Sequence, residues 1–302
     1  MNTLIVVVGP TGIGKSGISI KIANYYQSEI ISADSRQFYR ELCIGTAVPS
    51  QEELDKVPHH FIQTKSIHDY YNVSNYETEA LRLISRLFTL KNTLVLTGGS
   101  MLYVDTVCKG IDDIPTVDPV IREEVVEWYR NNGIDALRER LRIIDPEYYR
   151  VADLNNAKRL LHAVEIHQMT GIPFSLFRKN TVKERPFRII KIGINQDREI
   201  LYNRINARVD QMMADGLLEE ARSVYQYRHL NSLNTVGYKE LFAYFDGAYS
   251  LDEAVDLIKR NSRKYARKQL TWYRRDPEIK WFEPEHFQDI IAYTDQILNS
   301  NG

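Results

Sequence analysis

Residues 9–16 constrain the fold of this chain more than any other segment. They match the G-x-x-x-x-G-K-[ST] spacing of a phosphate-binding loop (P-loop), and an apolar stretch at 4–8 precedes them. The segment that follows places Ile18, Ile22 and Tyr25 at helical spacing. The sequence therefore predicts a strand, a glycine-rich loop and a helix, in the order that this kind of loop requires.

This loop predicts binding of a polyphosphate or a diphosphate. Its glycines allow successive N–H groups to point into one hollow, and the positive end of the following helix faces the same hollow. Lys15 adds a positive charge, and the Ser16 hydroxyl is expected to ligate Mg²⁺. The reaction stays open, since kinases, GTPases, ATPases and some alkyl transferases hold phosphates in this way. The loop residues are Gly9, Pro10, Thr11, Gly12, Ile13, Gly14, Lys15 and Ser16.

Strand and helix patterns alternate over most of the chain. Further strands are predicted at 29–32, 93–97, 187–194 and 279–282, and a helix at 76–88. Between them, residues 113–186 show mainly helical spacing up to Gly171. We therefore predict an α/β fold: a P-loop parallel sheet core covered by helices, formed by residues 1–112 and 187–302, with an all-helical insertion domain at 113–186.

Composition narrows the class of protein. Hydrophobic residues make up 43% of the 302 residues and charged residues 26%, which is typical of a globular chain. Cys43 and Cys108, the two cysteines, lack the spacing of a disulfide framework or a zinc site. The first apolar run is too short to span a membrane and lacks the basic start of a signal peptide. We expect a cytoplasmic protein without membrane contact, and a monomer.

Positive charge is concentrated near the carboxyl terminus. The net charge is −1, yet the 17 positions from 259 to 275 hold eight basic residues and no acidic one. Tyr265, Trp272 and Tyr273 are interleaved with them. Such a helix suits a nucleic-acid backbone, although a charge run is also typical of a solvated helix face. Arg267 and Lys268 are the candidate RNA contacts within this run.

Asp34 is the acidic residue best placed to act on a bound phosphate compound. It ends a predicted strand, whereas the strand at 93–97 leads into Gly98, Gly99 and Ser100, without the second acid that a nucleotide hydrolase usually carries. From the residues alone, Asp34 is a Mg²⁺ ligand, a general base or simply a helix cap.

Seven motifs together resemble the tRNA dimethylallyltransferase family, over nearly the whole chain. That family moves a five-carbon dimethylallyl group from its diphosphate to N6 of the adenosine on the 3′ side of certain tRNA anticodons, releasing diphosphate. It uses Mg²⁺ and does not need ATP, although its loop is of the kind usually described as nucleotide-binding and ATP-binding. The motifs lie at residues 9–16, 33–37, 44–47, 58–60, 97–103, 236–240 and 267–274.

The resemblance implies roles for individual residues. Asp34 is the general base, and Thr11 and Ser100 position diphosphate oxygens or the incoming base. Arg208, which follows Arg204 by one helical turn, matches the diphosphate-binding arginine, and a surface salt bridge is the alternative. Ser35, Arg36 and Gln37 are placed beside the extruded adenosine. Arg122, Lys158 and Arg159 are placed on the anticodon loop, so that the insertion acts as a clamp, although lone helix arginines are commonly just exposed.

Two other classes of protein stay open at this point. A P-loop kinase of a small molecule would use Asp34 for Mg²⁺ or for the substrate proton, but leaves the basic helix without a role. A non-catalytic RNA-binding module or nucleotide switch needs neither Asp34 nor the insertion. A relative that modifies free adenine nucleotides is disfavoured by both the basic helix and the insertion.

Overall fold

A computed structural model describes residues 1–179 and 181–300. Contacts divide the chain into two compact units: Met1–Cys108 with the chain from Arg185 onward, and Lys109–Glu184. The sequence-based domain limits, 113 and 186, stay a prediction about folding units. Among the described residues, no helix is both long enough and apolar enough to cross a membrane.

The first unit is built on a parallel sheet, which confirms the expected fold class. Its strands pair in the order β3-β2-β4-β1-β5-β6, and every pairing is parallel. β1 lies inside the sheet, with β4 on one side and β5 on the other, so that its residues 4–8 are all buried. The strands are β1 Thr3–Val8, β2 Ile30–Ser32, β3 His59–His60, β4 Thr93–Thr97, β5 Arg188–Ile194 and β6 Lys280–Phe282.

Helices cover both faces of this sheet and make up the second unit. Those of the first unit are α1 Lys15–Tyr25, α2 Gln51–Lys56, α3 Val73–Leu87, α4 Met101–Lys109, which ends at the boundary, α9 Arg198–Ala214, α10 Leu217–Val224, α11 Tyr238–Phe245, α12 Leu251–Tyr273 and α13 Phe287–Asn299. Those of the second unit are α5 Pro119–Ile144, interrupted at Gly133, α6 Pro146–Val151, α7 Ala157–Thr170 and α8 Phe174–Phe177.

Alternate residues of β1 separate two apolar layers. Leu4 and Val6 pack with residues of α3 and α4, whereas Ile5 and Val7 pack with residues of α1, α9 and α13. Because successive side chains of a strand point to opposite faces, one continuous apolar run supplies both layers. A third cluster joins α9, α10, α11 and α12 beside the sheet.

The second unit has a core of its own. Val125, Leu137 and Leu141 of α5 pack with Leu160 and Val164 of α7. The buried Asp145 carboxylate accepts the N–H of Tyr148 at 3.0 Å and thereby caps α6. The predicted all-helical character of this segment is confirmed.

Most differences from the predicted elements are at their ends. The strand at 93–97 is confirmed without change, the other predicted strands each begin one residue earlier or later, and β3 was not predicted. The helix predicted at 76–88 begins earlier, at Val73, because Asn72 and Asn75 form a capping box. Tyr25, predicted on the apolar face of α1, is 54% exposed, since it is the last residue of the helix.

Gly98 allows β4 and β2 to approach closely just beyond the sheet. The Ala33 N–H donates to Thr97 O at 2.7 Å, and a Cβ built on Gly98 would lie 2.3 Å from the Ala33 carbonyl carbon. This close approach brings the segments that follow the two strands side by side.

We predict that Gly98→Ala destabilises the protein by about 1–3 kcal/mol, because backbone must move to admit the methyl group. The matched control is Gly17→Ala in α1, where an added Cβ meets nothing within 4 Å. That control is expected to be neutral or to stabilise by up to about 1 kcal/mol. Thermal and denaturant unfolding measure both, and equal stability of the two variants would contradict the close approach.

Candidate active site at the carboxyl edge of the sheet

A crevice of roughly 1000 Å³ opens in the first unit, where the loops after β1, β2 and β4 meet. Residues of α9 and α12 complete its lining. Since the carboxyl ends of parallel strands share one edge, this is the usual position of a ligand site in an open α/β sheet. The sequence-predicted residues in its lining are Thr11, Gly12, Gly14, Lys15, Ser16, Asp34, Ser35, Arg36, Gln37, Ser100, Arg208 and Lys268.

The loop between β1 and α1 has the geometry of an anion cradle. Gly14 adopts a left-handed conformation with φ of 95° and immediately precedes the first residue of α1. Having no side chain, it offers no capping acceptor to the first N–H groups of the helix. The start of α1, where the positive end of the helix dipole lies, therefore suits an anion bound in the crevice.

Lys15 is half-buried in the lining of the crevice. Its Nζ donates to Pro10 O at 2.9 Å. Burial, and to a smaller extent the charge of Arg208, lowers the pKa of Lys15 to about 8, although the Asp34 carboxylate acts in the opposite direction. The ammonium group therefore loses its proton far more easily than that of an exposed lysine, and a bound anion would stabilise its charged form.

Two arginines of α9 approach the same loop. The Arg208 Nη1 donates to Thr11 Oγ1 at 3.4 Å, and burial lowers the pKa of Arg208 while Asp34 raises it. Arg204 lies beside Gly14, since a Cβ there would be 3.0 Å from Arg204 Nη2. Arg204 belongs to the crevice together with Arg208, whereas Gln211 of the same helical face bonds to Asp215.

Asp34 lies opposite the loop, between the ends of β2 and β4. Its Oδ1 accepts the Arg36 N–H at 3.0 Å, which makes a local turn, and no helix follows for it to cap. Its Oδ2 lies toward Gly99, where a built Cβ would be 2.9 Å from it. The carboxylate is also close enough to Lys15 and Arg208 to favour their charged forms.

The side chains after Asp34 hold the surrounding loops. Ser100 Oγ accepts the Ser35 N–H and donates to Ser35 Oγ, both at 2.8 Å. The Arg36 guanidinium donates to three carbonyls in the 231–234 turn, at 2.8–3.3 Å. The Gln37 amide donates to the carbonyls of residues 46 and 47. The motif at 33–37 therefore fixes the shape of one wall of the crevice.

Gln269 was not singled out from the sequence. It is fully buried on α12, where its Oε1 accepts the Thr11 N–H and its Nε2 donates to Gly99 O, both at 2.7 Å. Its signal in the sequence was a polar residue at a buried helical spacing, between Ala266 and Tyr273. Only tertiary structure shows which groups it meets.

The basic run on α12 divides between two environments. Lys259 forms an ion pair with Asp210 at 2.6 Å and Arg263 bonds to Asn206, so these two serve the contact with α9. Arg267 and Lys268 are exposed, and Lys268 also lines the crevice. The exposed cations are therefore fewer than the sequence count implied.

Three predicted RNA contacts belong to the second unit. Arg122 of α5 lies 3.6 Å from the nearly buried carboxylate of Glu165. Lys158 and Arg159 are exposed in the first turn of α7. Arg122 is thus partly neutralised within the unit, whereas the other two present their charges to solvent.

The crevice residues suit a magnesium ion that takes most of its coordinating oxygens from bound phosphate groups and water, and few from the protein. In the described ranges, 1–179 and 181–300, no group of three or more His, Cys, Asp or Glu side chains is arranged to hold a metal. The Ser16 hydroxyl and the Asp34 carboxylate both belong to the crevice lining. Mg²⁺ commonly takes one or two protein oxygens together with phosphate oxygens and water, which these donors fit.

Comparison with known proteins gives consistent results. A protein named tRNA dimethylallyltransferase 1 from Bacteroides fragilis is 56% identical over 291 residues, covering 96% of this chain and 97% of that protein. The crystal structure of a tRNA isopentenylpyrophosphate transferase from Bacillus halodurans matches with a TM-score of 0.71 and 36% identity, covering 99% and 96% of the two chains.

A eukaryotic dimethylallyltransferase, solved acting on tRNA, has a TM-score of 0.81 over 99% of this chain and 80% of its own, at 23% identity, and supports the fold. The family described as IPP transferase matches residues 37–276. With a match of this length and a relative of 56% identity, the chain belongs to the IPP transferase family.

Proposed function

We propose that the protein transfers a dimethylallyl group from dimethylallyl diphosphate to N6 of the adenosine 3′ of the anticodon in tRNA, and releases diphosphate. The observation that carries this proposal is a carboxylate, Asp34, in the same crevice as a glycine-rich loop and two half-buried cations, Lys15 and Arg208. In this reaction the bond between the dimethylallyl carbon and the diphosphate oxygen breaks, a bond between that carbon and N6 forms, and N6 loses one proton.

The proposed role of the loop at residues 9–16 is to stabilise the diphosphate as it leaves. The oxygen that leaves the dimethylallyl carbon takes the bonding electron pair, so negative charge grows on the diphosphate during the reaction. We assign the stabilisation of that charge to Lys15, Arg208 and the N–H groups at the start of α1, which border the same crevice. Because these groups are fixed by the fold, they need little reorganisation when the charge develops. Thr11, bonded to both Arg208 and Gln269, is proposed to orient a diphosphate oxygen.

The proposed role of Asp34 is to accept a proton from the nucleophile, adenine N6. The exocyclic amine of adenine is a very weak base, so removing its proton during attack lowers the barrier. The Arg36 N–H occupies Oδ1, and Oδ2 lies toward Gly99 at the crevice. We assign the N6 proton to Oδ2 on this geometry. Ser100 supports the arrangement by bonding Ser35, the next residue.

A magnesium ion would be held by the Ser16 hydroxyl and by diphosphate oxygens. When bound, Mg²⁺ would neutralise part of the diphosphate charge. The Ser16 side chain follows Lys15 directly at the start of α1, so both act on the same end of the substrate.

Apolar side chains in the crevice lining are proposed to take the five-carbon chain. They belong to the third apolar cluster, formed by α9, α10, α11 and α12, which includes neither the loop at residues 9–16 nor Asp34. An apolar wall also excludes water, which would otherwise compete with the amine for the dimethylallyl group. These lining residues are Val209, Met212, Leu217, Val236 and Ile258.

The RNA contacts are assigned to exposed cations of both units. On α12, Lys268 lines the crevice and Arg267 lies beside it in the sequence, so an RNA backbone at Lys268 would bring a loop nucleotide to the opening. Extruding a loop nucleotide costs little compared with a paired one. In the second unit, Lys158 and Arg159 are proposed to bind the anticodon loop, with Arg122 supporting them.

We expect the purified protein with Mg²⁺ and dimethylallyl diphosphate to form prenylated adenosine in unmodified tRNA that carries adenosine 3′ of its anticodon. Chromatography and mass spectrometry of nuclease digests detect the product. A tRNA with guanosine at that position is the matched control and is expected to stay unmodified. ATP hydrolysis or γ-phosphate transfer without prenyl-adenosine would support a kinase and contradict the proposal.

We predict that Asp34→Asn lowers the single-turnover rate of prenyl transfer by ~10²-fold or more, because it keeps the oxygen that accepts the Arg36 N–H but removes the base. The tRNA Kd is expected to change little. Asp55→Asn, on the exposed helix α2, is the control and should keep full activity. Single-turnover rates with saturating substrates make the comparison, and an Asp34→Asn enzyme as fast as this control would remove Asp34 from the chemistry.

We predict that Arg267→Gln with Lys268→Gln reduces the slope of log Kd for tRNA against log salt by about one unit for each phosphate that is no longer neutralised. Lys259→Gln is the matched control on the same helix, since its charge is paired with Asp210 and should not reach RNA. Filter binding over a range of salt concentrations measures both. If the two proteins keep the same slope, the exposed face of α12 does not bind the tRNA backbone.

A further inference from the structure

Gln269 connects two loops of the crevice through the two ends of one amide group. The Thr11 N–H donates to its Oε1 at 2.7 Å, and its Nε2 donates to Gly99 O at the same distance. The side chain is completely buried, so the bond to Gly99 is shielded from water, whereas the bond to Thr11 is shielded on the Gln269 side and only partly at Thr11. A buried amide with either bond missing would leave a polar group unpaired at a cost in stability, so the pair of bonds defines one position of the side chain.

The two loops follow neighbouring strands. β1 and β4 pair in parallel as far as Val7 and Thr97, and beyond this point the chains separate into the phosphate-binding loop and the Gly98–Ser100 segment. The glutamine amide joins an N–H donor group to a carbonyl acceptor, as a backbone peptide does, although its NH2 group carries two N–H bonds instead of one. This amide therefore continues the pairing of the two strands into a region where the strands themselves no longer meet.

Each end of this bridge holds a group that the proposed reaction uses. Thr11 lies in the phosphate-binding loop and its Oγ1 accepts from Arg208. Gly99 precedes Ser100 and lies against Asp34, since a Cβ built on Gly99 would be 2.9 Å from Asp34 Oδ2. A shift of Gln269 would change the separation between the diphosphate cradle and the carboxylate.

We propose that Gln269 is a positioning residue for the transfer, which fixes the distance between the phosphate-binding loop and Asp34; this rests on the proposed function. Reactions between two bound groups depend steeply on their separation, and a misplacement of about 1 Å can cost ~10²-fold in rate. Gln269 borders the crevice, but its Oε1 and Nε2 both bond to backbone, so we assign it no direct role with either substrate.

Tyr265 provides a comparison within the same helix. Its hydroxyl also donates to Gly99 O, at 2.9 Å, one turn before Gln269. It has no bond to Thr11, so it supports one loop without connecting it to the other. Tyr265→Phe therefore removes a bond to Gly99 while it leaves the bridge in place.

The decisive variant is Gln269→Asn, which keeps the amide but shortens its reach by one carbon, so that it cannot make both bonds. We expect kcat for prenyl transfer to fall ~10- to 10²-fold, and the Kd for inorganic diphosphate with Mg²⁺ to rise, while the tRNA Kd stays within about twofold. Gln269→Leu should show the same pattern more strongly. Tyr265→Phe should keep the diphosphate Kd within about twofold of wild type.

Gln288→Asn, on the exposed part of α13, is the matched control for the same chemical change. Turnover and diphosphate affinity of Gln269→Asn equal to those of this control would overturn the bridge, provided that thermal melting shows both proteins folded. If Gln269→Leu does not fold, the Asn variant decides alone. A wild-type protein that binds diphosphate without modifying tRNA would refute the proposed function, and the diphosphate Kd of Gln269→Asn would still test the bridge.

Discussion

The site depends on one electrostatic interaction: the Asp34 carboxylate lies close to the cations of Lys15 and Arg208, in a crevice where water is partly excluded. Asp34 favours the charged forms of Lys15 and Arg208, while burial disfavours them. Such a set is costly to assemble unless it is fixed by neighbouring bonds, and the phosphate loop, the Ser100 hydroxyl and the Gln269 amide supply those bonds. An anionic ligand would relieve the excess of positive charge at the loop.

The parallel sheet makes this arrangement possible. Adjacent strands end at the same edge, so residues far apart in sequence, such as Thr11 and Gly99, come within reach of one side chain. The close approach at Gly98 then brings the segment that bears Asp34 to the same edge. The fold thus places the glycine-rich loop and the Asp34 carboxylate on neighbouring loops, and α12 contacts the loop regions around both while presenting exposed cations to solvent.

The sheet and the strand, glycine-rich loop and helix at the amino terminus were predictable because their signals are local: an apolar run, a glycine spacing and a helical period within about 25 residues. The insertion was visible as a change of periodicity. What the sequence could not show were bonds between distant elements. The Arg36 contacts with the 231–234 turn, the position of Arg204 beside Gly14 and the two bonds of Gln269 depend on tertiary packing. The strand His59–His60 was missed because two residues carry no period.

We propose that the loop at residues 9–16 binds the departing diphosphate while Asp34 receives a proton from adenine. The sharpest test is a crystal structure with a non-hydrolysable dimethylallyl diphosphate analogue and an anticodon stem-loop. We expect diphosphate oxygens on Lys15 and the first N–H groups of α1, with adenine N6 within hydrogen-bonding distance of the Asp34 carboxylate. Diphosphate bound elsewhere, or adenine N6 out of reach of Asp34, would contradict it.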